Sequence, residues 1–393
     1  MAAALVGLVV GSVHAQVTTE KSSSILVFPK VIADGTRDTI IQITNTSNSM
    51  VHAHCFYVNG APTFADFPPD PITNPPLWIE VDFDIWLTKQ QPTHWVVSEG
   101  RLVDPTDPGC ANGSNNPPAP PNYACNGAGL DPGRVPPVVQ YFTGELKCVE
   151  VDDSGAPLSG NHLKGEATTI IADVCDPVAD ACTLSLGACA SSDDCDDTLF
   201  DVAKYNALGV LGNENNDGDN VLCLGGEPSD ECPNGAEYDA CPQVWIANHF
   251  AQGAPDPFFG SDDDSGIFTS WTFVPCTEDF ESQNSNPPTT VNAVINTYNE
   301  FETAFSSSVK FTCWAEFDLD QINPVVYNFS VLGTAFAQSR LRPAAQFPSG
   351  FLMVGTESHV APDGNVSTAD VNYHVEGSRP GPDLITIPPD QIQ

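Results

Sequence analysis

Positive charge is what this sequence has least of. Its 393 residues carry 13 Lys and Arg against 51 Asp and Glu, a formal net charge of -38. Phosphates would be repelled by such a surface, which excludes nucleic acid as an expected partner, and anionic lipid is disfavoured on the same ground. No apolar run reaches the ~18 residues of a membrane-spanning helix, so no membrane span is expected. Catalytic signatures are missing as well: there is no G-x-S-x-G elbow, no H-E-x-x-H pair, no P-loop and no dinucleotide fingerprint. No C-x-x-C pair occurs, so zinc ribbons and c-type haem are not expected. Long helices are disfavoured by 35 Pro and 30 Gly.

What is there points outside the cell. Thirteen cysteines without metal motifs fit a disulfide framework in an oxidising compartment. Residues 1–15 read as a signal peptide: an apolar run from Ala2 to Val10 ends in Val13-His14-Ala15, with Gln16 the first mature residue. No Lys or Arg precedes the run. The expected location is secreted, periplasmic or extracellular, where a large negative charge keeps a protein soluble.

The chain uses one phrase twice. Trp78-Ile79-Glu80-Val81-Asp82-Phe83-Asp84 returns as Trp314-Ala315-Glu316-Phe317-Asp318-Leu319-Asp320. Both alternate apolar and acidic residues at the period of a half-buried strand. Around them Pro29 is answered by Pro275, Asn45-Thr46-Ser47-Asn48 by Asn296-Thr297-Tyr298-Asn299, and Val51, Ala53 and Cys55 by Val309, Phe311 and Cys313. Aligning the Asn marks slips the apolar face of the second copy by one residue, which a bulge would have to absorb. The expected fold is all-β, with two tandem immunoglobulin-like β-sandwiches from an internal duplication. Domain one is expected over residues 22–250, a linker over 251–266, and domain two over 267–388. Strands are expected at Ser24 to Ile32, Asp38 to Thr44, Val51 to Val58, Leu77 to Leu87, His94 to Val97, Phe142 to Asp152, Gly165 to Asp173 and Val202 to Leu211. Most of residues 174–243 has no counterpart in the second copy and reads as a Cys/Asp-rich, disulfide-stapled insert.

Phe28-Pro29, Ile43-Thr44-Asn45-Thr46-Ser47 before Val51-x-Ala53-x-Cys55, and Gly144-x-Leu146 resemble secreted bacterial immunoglobulin-like sandwich proteins. The resemblance implies a fold and a compartment and transfers no catalytic residue.

Cys55 is expected to pair with Cys148, Cys110 with Cys125, and Cys276 with Cys313. Cys175, Cys182, Cys189 and Cys195 offer two local bridges in any of three connectivities. Cys223, Cys232 and Cys241 leave one thiol over. Asn213-Glu214-Asn215-Asn216-Asp217-Gly218-Asp219 places oxygen ligands at positions 1, 3 and 5 and Gly at 6, the front half of a calcium loop. Asn213, Asn215, Asp217 and Asp219 are therefore candidate calcium ligands, although the closing Glu is replaced by Leu224. Ser261 to Gly266, and Asp193, Asp194, Asp196 and Asp197, are two further acidic loops. His52 and His54 share one strand face, a metal-capable spacing without a visible third ligand. Glu80, Asp82 and Asp84 share another, which reads first as a solvated outer face.

The function expected is a secreted or surface-associated structural or adhesive protein, stabilised by calcium at most, with no catalytic activity evident. Its partner would be an extracellular protein or glycan. One alternative is an extracellular glycan or small-ligand binding module, with Trp78, Trp86, Trp95, Trp245 and Trp271 as candidate stacking platforms. The other is a carboxylate-dependent hydrolase, whose acid pair is defined by separation in space and not by sequence.

Overall fold

The computed structural model describes residues 17–63, 74–102, 132–172, 200–259, 265–282, 286–347, 349–362 and 366–388. The segment expected as a signal peptide, Cys110, Cys125, Cys175, Cys182, Cys189, Cys195, the acidic run about Cys195 and residues 261–264 lie outside them.

The described chain is all-β apart from two single-turn helices, α1 (Leu319–Ile322) and α2 (Phe329–Leu332). Sheet one comprises β1 (Ile25–Ala33), β3 (Val51–Asn59), β4 (Ile79–Leu87), β6 (Phe142–Val151) and β9 (Leu208–Val210), in the order β4-β3-β6-β1-β9. Sheet two comprises β2 (Arg37–Asn45), β5 (Pro92–Val96), β7 (Leu163–Ala172) and β8 (Phe200–Asn206), in the order β5-β2-β7-β8. Sheet three joins β10 (Val221–Leu224), β21 (Asp383–Thr386) and β13 (Glu278–Asp279), the last two in parallel. Sheet four runs β15-β14-β17-β11-β20, from β11 (Pro242–Phe250), β14 (Thr290–Asn299), β15 (Ala304–Thr312), β17 (Phe336–Pro343) and β20 (His374–Ser378). Sheet five runs β16-β12-β18-β19, from β12 (Gly266–Pro275), β16 (Ala315–Asp318), β18 (Phe351–Val360) and β19 (Val366–Val371).

Sheet one overturns the expectation of two tandem immunoglobulin-like sandwiches. In such a sandwich each sheet turns one face to a core and one to water. Here β1 and β3 are buried at every residue. Leu26, Phe28, Val51, Ala53, Cys55 and Tyr57 enter one core, shared with Ile41 and Ile43 of sheet two. Ile25, Val27, Phe56 and Val58, on the opposite face, enter a second core that holds Trp245, Trp271, Phe273 and Phe351 from the other half of the chain. The two halves therefore share a core. The Cys55–Cys148 bond also differs from an immunoglobulin bridge: it links neighbouring, directly opposed residues of one sheet rather than crossing between two. The fold is corrected to an all-β arrangement of five sheets.

The repeated phrase has two outcomes. The first copy forms nine-residue β4, with Phe83 and Ile85 in the core but Ile79 and Val81 exposed. The second copy stops as four-residue β16 and turns into α1 at Leu319. Gln321 accepts from the Asp318 backbone N–H at 2.9 Å, closing that turn. The expected insert is corrected as well. In its described part the strand expected at Val202 to Leu211 appears as β8 and β9, in sheets two and one, and a further strand not expected there, β10, enters sheet three.

Pro29 sets one local feature used below. It has no N–H to give to the ladder, and the β1–β6 register shifts between Phe28 and Val31. Lys30 N–H instead donates to Tyr205 Oη at 3.1 Å, and the Pro29 carbonyl accepts from Trp314 Nε1 at 2.7 Å.

Candidate functional site

Two of the sequence candidates form a single strip. β3 and β4 are antiparallel neighbours, with His52 opposite Trp86 and His54 opposite Asp84. Since alternate residues of both strands point into the core, His52, His54, Glu80, Asp82, Asp84 and Trp86 share the other face. The imidazoles reach diagonally across. His52 Nε2 lies 2.8 Å from Asp84 Oδ1, and His54 Nε2 lies 3.1 Å from Asp82 Oδ2. His52 Nδ1 meets the Asp152 carbonyl at 3.0 Å, and its ring stacks on Trp86 with centroids 4.4 Å apart.

This strip sorts its carboxyls by environment. The hydrogen bond from His54 holds Asp82 below the usual carboxylate range. Burial, then the charge of Asp82, push Glu80 up to about 8 against the pull of His54. Beyond His52 the strip opens on a groove of about 360 Å³, with Met50, Trp86 and Leu158 as apolar walls and His52, Glu150 and Asp152 as polar ones. Glu150 accepts from His162 Nδ1 at 2.7 Å, which fixes one wall. A flat polar ligand that stacks on Trp86 and donates hydrogen bonds would match this lining. Trp95, Trp245 and Trp271 are buried and cannot act as platforms.

On the strip each imidazole faces a carboxylate. Among the described residues, three His, Cys, Asp or Glu ligand atoms gather only at Cys241, Cys276 and Asp383. There the two sulfurs are bonded to each other. In the Asn213–Asp219 turn, Asp219 Oδ1 accepts from Val221 N–H at 2.8 Å, and Asp217 accepts from Asp219 N–H at 3.1 Å and Asn234 Nδ2 at 3.2 Å. Asn215 Nδ2 donates to the Ala236 carbonyl at 3.2 Å. Glu237 joins the turn by accepting from Asp217 N–H at 3.2 Å, and burial with the Asp217 charge raises its carboxyl.

Three cysteine pairs stand at disulfide geometry: Cys55–Cys148, Cys223–Cys232 and Cys241–Cys276. The expected Cys276–Cys313 bridge is thus replaced by Cys241–Cys276, which ties the approach to β11 to the end of β12. Cys313 sits at φ +59° between β15 and β16, free and buried.

The sequence reading missed a cleft of about 340 Å³ between sheets two and five, lined by Lys30, Arg37, Glu316 and Asp318 among others. Lys30 Nζ lies 3.3 Å from Glu316 and 3.2 Å from Asp370, while Arg37 pairs with Glu316 at 3.0 Å and Asp34 at 2.8 Å. Burial alone would raise the Glu316 carboxyl, but Lys30 and Arg37 hold it below its ordinary value. Its signal was indirect: Lys30 stands in an apolar run of a chain with almost no cations.

No family model matches the chain, and no curated protein matches it in sequence. A solved structure of Thermotoga maritima 1070 is similar over 35% of this chain and 97% of its own, with 8% identity and a TM-score of 0.24, too weak a likeness to bear on fold or function. Among the described residues no helix is long and apolar enough to cross a membrane.

Proposed function

We propose that this chain is a secreted or surface-associated structural protein, held in shape by disulfides in an oxidising compartment. The observation that carries the reading is the set of three cysteine pairs at bonding geometry, which a reducing cytosol would not maintain. The large negative charge supports the same setting. Fractionation of producing cells tests it: the protein should be found oxidised outside the cytoplasm. A reduced, folded cytoplasmic pool as the main form would overturn the reading.

Calcium at the Asn213–Asp219 turn belongs to this proposal. Asp217 and Glu237 repel each other at this turn, and a cation would relieve that repulsion. Melting should rise with calcium and fall with excess chelator; identical midpoints would remove the ion from the account.

A second reading, recognition of an extracellular glycan or small ligand, is favoured by the His52–Trp86 stack beside the groove. It predicts a glycan-array signal that Trp86→Ala abolishes while leaving the melting midpoint nearly unchanged. An array without signal would sink it.

A further inference from the structure

β6 brings Glu145 and Lys147 onto the face of sheet one that looks into the core shared by both halves. Gly144 precedes them where a Cβ would stand 1.9 Å from the Val58 carbonyl oxygen, so the backbone packs closely there. β13 delivers Glu278 to the same point, two residues after Cys276 is fastened to Cys241. Lys147 Nζ lies 2.5 Å from Glu145 Oε2 and also contacts Glu278 Oε2. All three side chains are no more than 1% exposed. The Lys147 ammonium lies 5.8 Å from the Phe280 ring centroid, and Phe280 stacks on Phe56. Oε1 of each Glu has no hydrogen-bond partner among the described residues.

The charge count is unusual. Among the described residues one cation, Lys147, is paired with two carboxyls. An apolar interior tolerates a neutral set, so one carboxyl carries a proton. Burial and then the Glu145 charge push Glu278 far above the carboxylate range. The cleft at Lys30 is built otherwise: there two cations, Lys30 and Arg37, serve Glu316, Asp370 and Asp34, and the Glu316 carboxyl is held low. Burial alone would lower the Lys147 ammonium, but the Glu145 and Glu278 charges hold it above its ordinary value, so the cluster sets an ammonium, a carboxylate that can take its proton and a protonated carboxyl in contact and away from water.

We infer that Lys147 and Glu278 join in an intramolecular amide bond, with Glu145 as the proton acceptor. Glu145 carboxylate takes a proton from the Lys147 ammonium. The freed Nζ lone pair attacks Cδ of the Glu278 carboxylic acid. The tetrahedral adduct collapses, its hydroxyl leaving with an Nζ proton as water, so that the C–N bond forms as the C–O bond breaks. Glu145 ends as a neutral acid, one water is released, and no oxidant or cofactor enters. The ion pair and its desolvation cost disappear from the core. Fixing the reactants on β6 and on a disulfide-anchored β13 makes the step unimolecular, and a dry site denies the product the water for hydrolysis.

Intact mass spectrometry of the purified, oxidised full chain, followed by tryptic mapping, tests this. The expected protein is lighter than its disulfide-bonded sequence by one water. Trypsin should leave Lys147 uncut, and the map should hold a branched peptide joining the segments of Lys147 and Glu278. Lys147→Met and Glu145→Gln should each restore the full mass. Cleavage after Lys147 with both segments recovered as linear peptides in the folded wild type overturns the inference, as does a water deficit that maps elsewhere.

Discussion

Acidification should unfasten the shared core through His249. This residue lies on β11 and is fully buried, edge-on to Trp271 and Tyr327. Its Nδ1 is 3.0 Å from the Phe250 carbonyl, which can only accept, so Nδ1 carries the proton. Nε2 accepts from Ser339 Oγ at 2.9 Å, and Ser339 in turn is 2.7 Å from Thr297 Oγ1. The ring is therefore held neutral. Burial lowers its pKa from 6.5 to about 4, against a smaller upward pull from the Phe250 carbonyl. The unfolded chain then binds the proton first as pH falls, and stability drops between pH 6.5 and about 4. That gap of about 2.5 pH units, at about 1.4 kcal/mol each, gives a loss on the order of 3 kcal/mol. Denaturant unfolding of wild type and His249→Gln across this range isolates the contribution. The difference in stability between them should shrink by about 3 kcal/mol from pH 7 to 4. A pH-independent difference would refute the neutral-imidazole argument.

Three further outcomes follow from other contacts. Cys241→Ser with Cys276→Ser should cost about 3–4 kcal/mol in chemical denaturation, the loop-closure value for a separation of 35 residues. Lys30→Met should cost about 3–5 kcal/mol by stranding Asp370 and leaving Glu316 to Arg37 alone, and Lys30→Met/Asp370→Asn should recover part of that loss. Burial alone would lower His359, but its hydrogen bonds to Glu357 and Asp256 and their charges raise its pKa above 6.5. A raised folded pKa gives stability that is full below 6.5 and lost as pH climbs through the folded value. His359→Gln should accordingly lower the melting midpoint at about pH 5.5 and have little effect at about pH 9.

The strands were legible and their layering was not. The strands expected at Ser24 to Ile32, Asp38 to Thr44 and Val51 to Val58 appear as β1, β2 and β3 within a residue or two. Alternation reports one wet face. Ile25-Leu26-Val27-Phe28 and Cys55-Phe56-Tyr57-Val58 do not alternate, and such continuous apolar runs mark strands covered on both sides. That signal, given its weight, argues against independent sandwiches. The repeated Trp-x-Glu-x-Asp phrase misled because in one copy Gln321 closes a helical turn on the Asp318 backbone N–H while in the other Asp82 answers His54. At the candidate site, His52 and His54 were singled out, as were Glu80, Asp82 and Asp84, but only strand pairing shows that they are partners. Cysteine pairing failed at Cys276 for the same reason: proximity of β11 to the end of β12 is a fact of topology. Glu145, Lys147 and Glu278 left one trace, a lysine inside an apolar strand of a chain with 13 basic residues.

The most direct test of a disulfide-fastened extracytoplasmic protein is thiol alkylation read by mass spectrometry on the folded, unreduced chain. Cys55, Cys148, Cys223, Cys232, Cys241 and Cys276 should stay unlabelled until reductant is added, and Cys313 should react without reductant only after unfolding. Labelling of any of those six in the folded, unreduced protein would contradict the account.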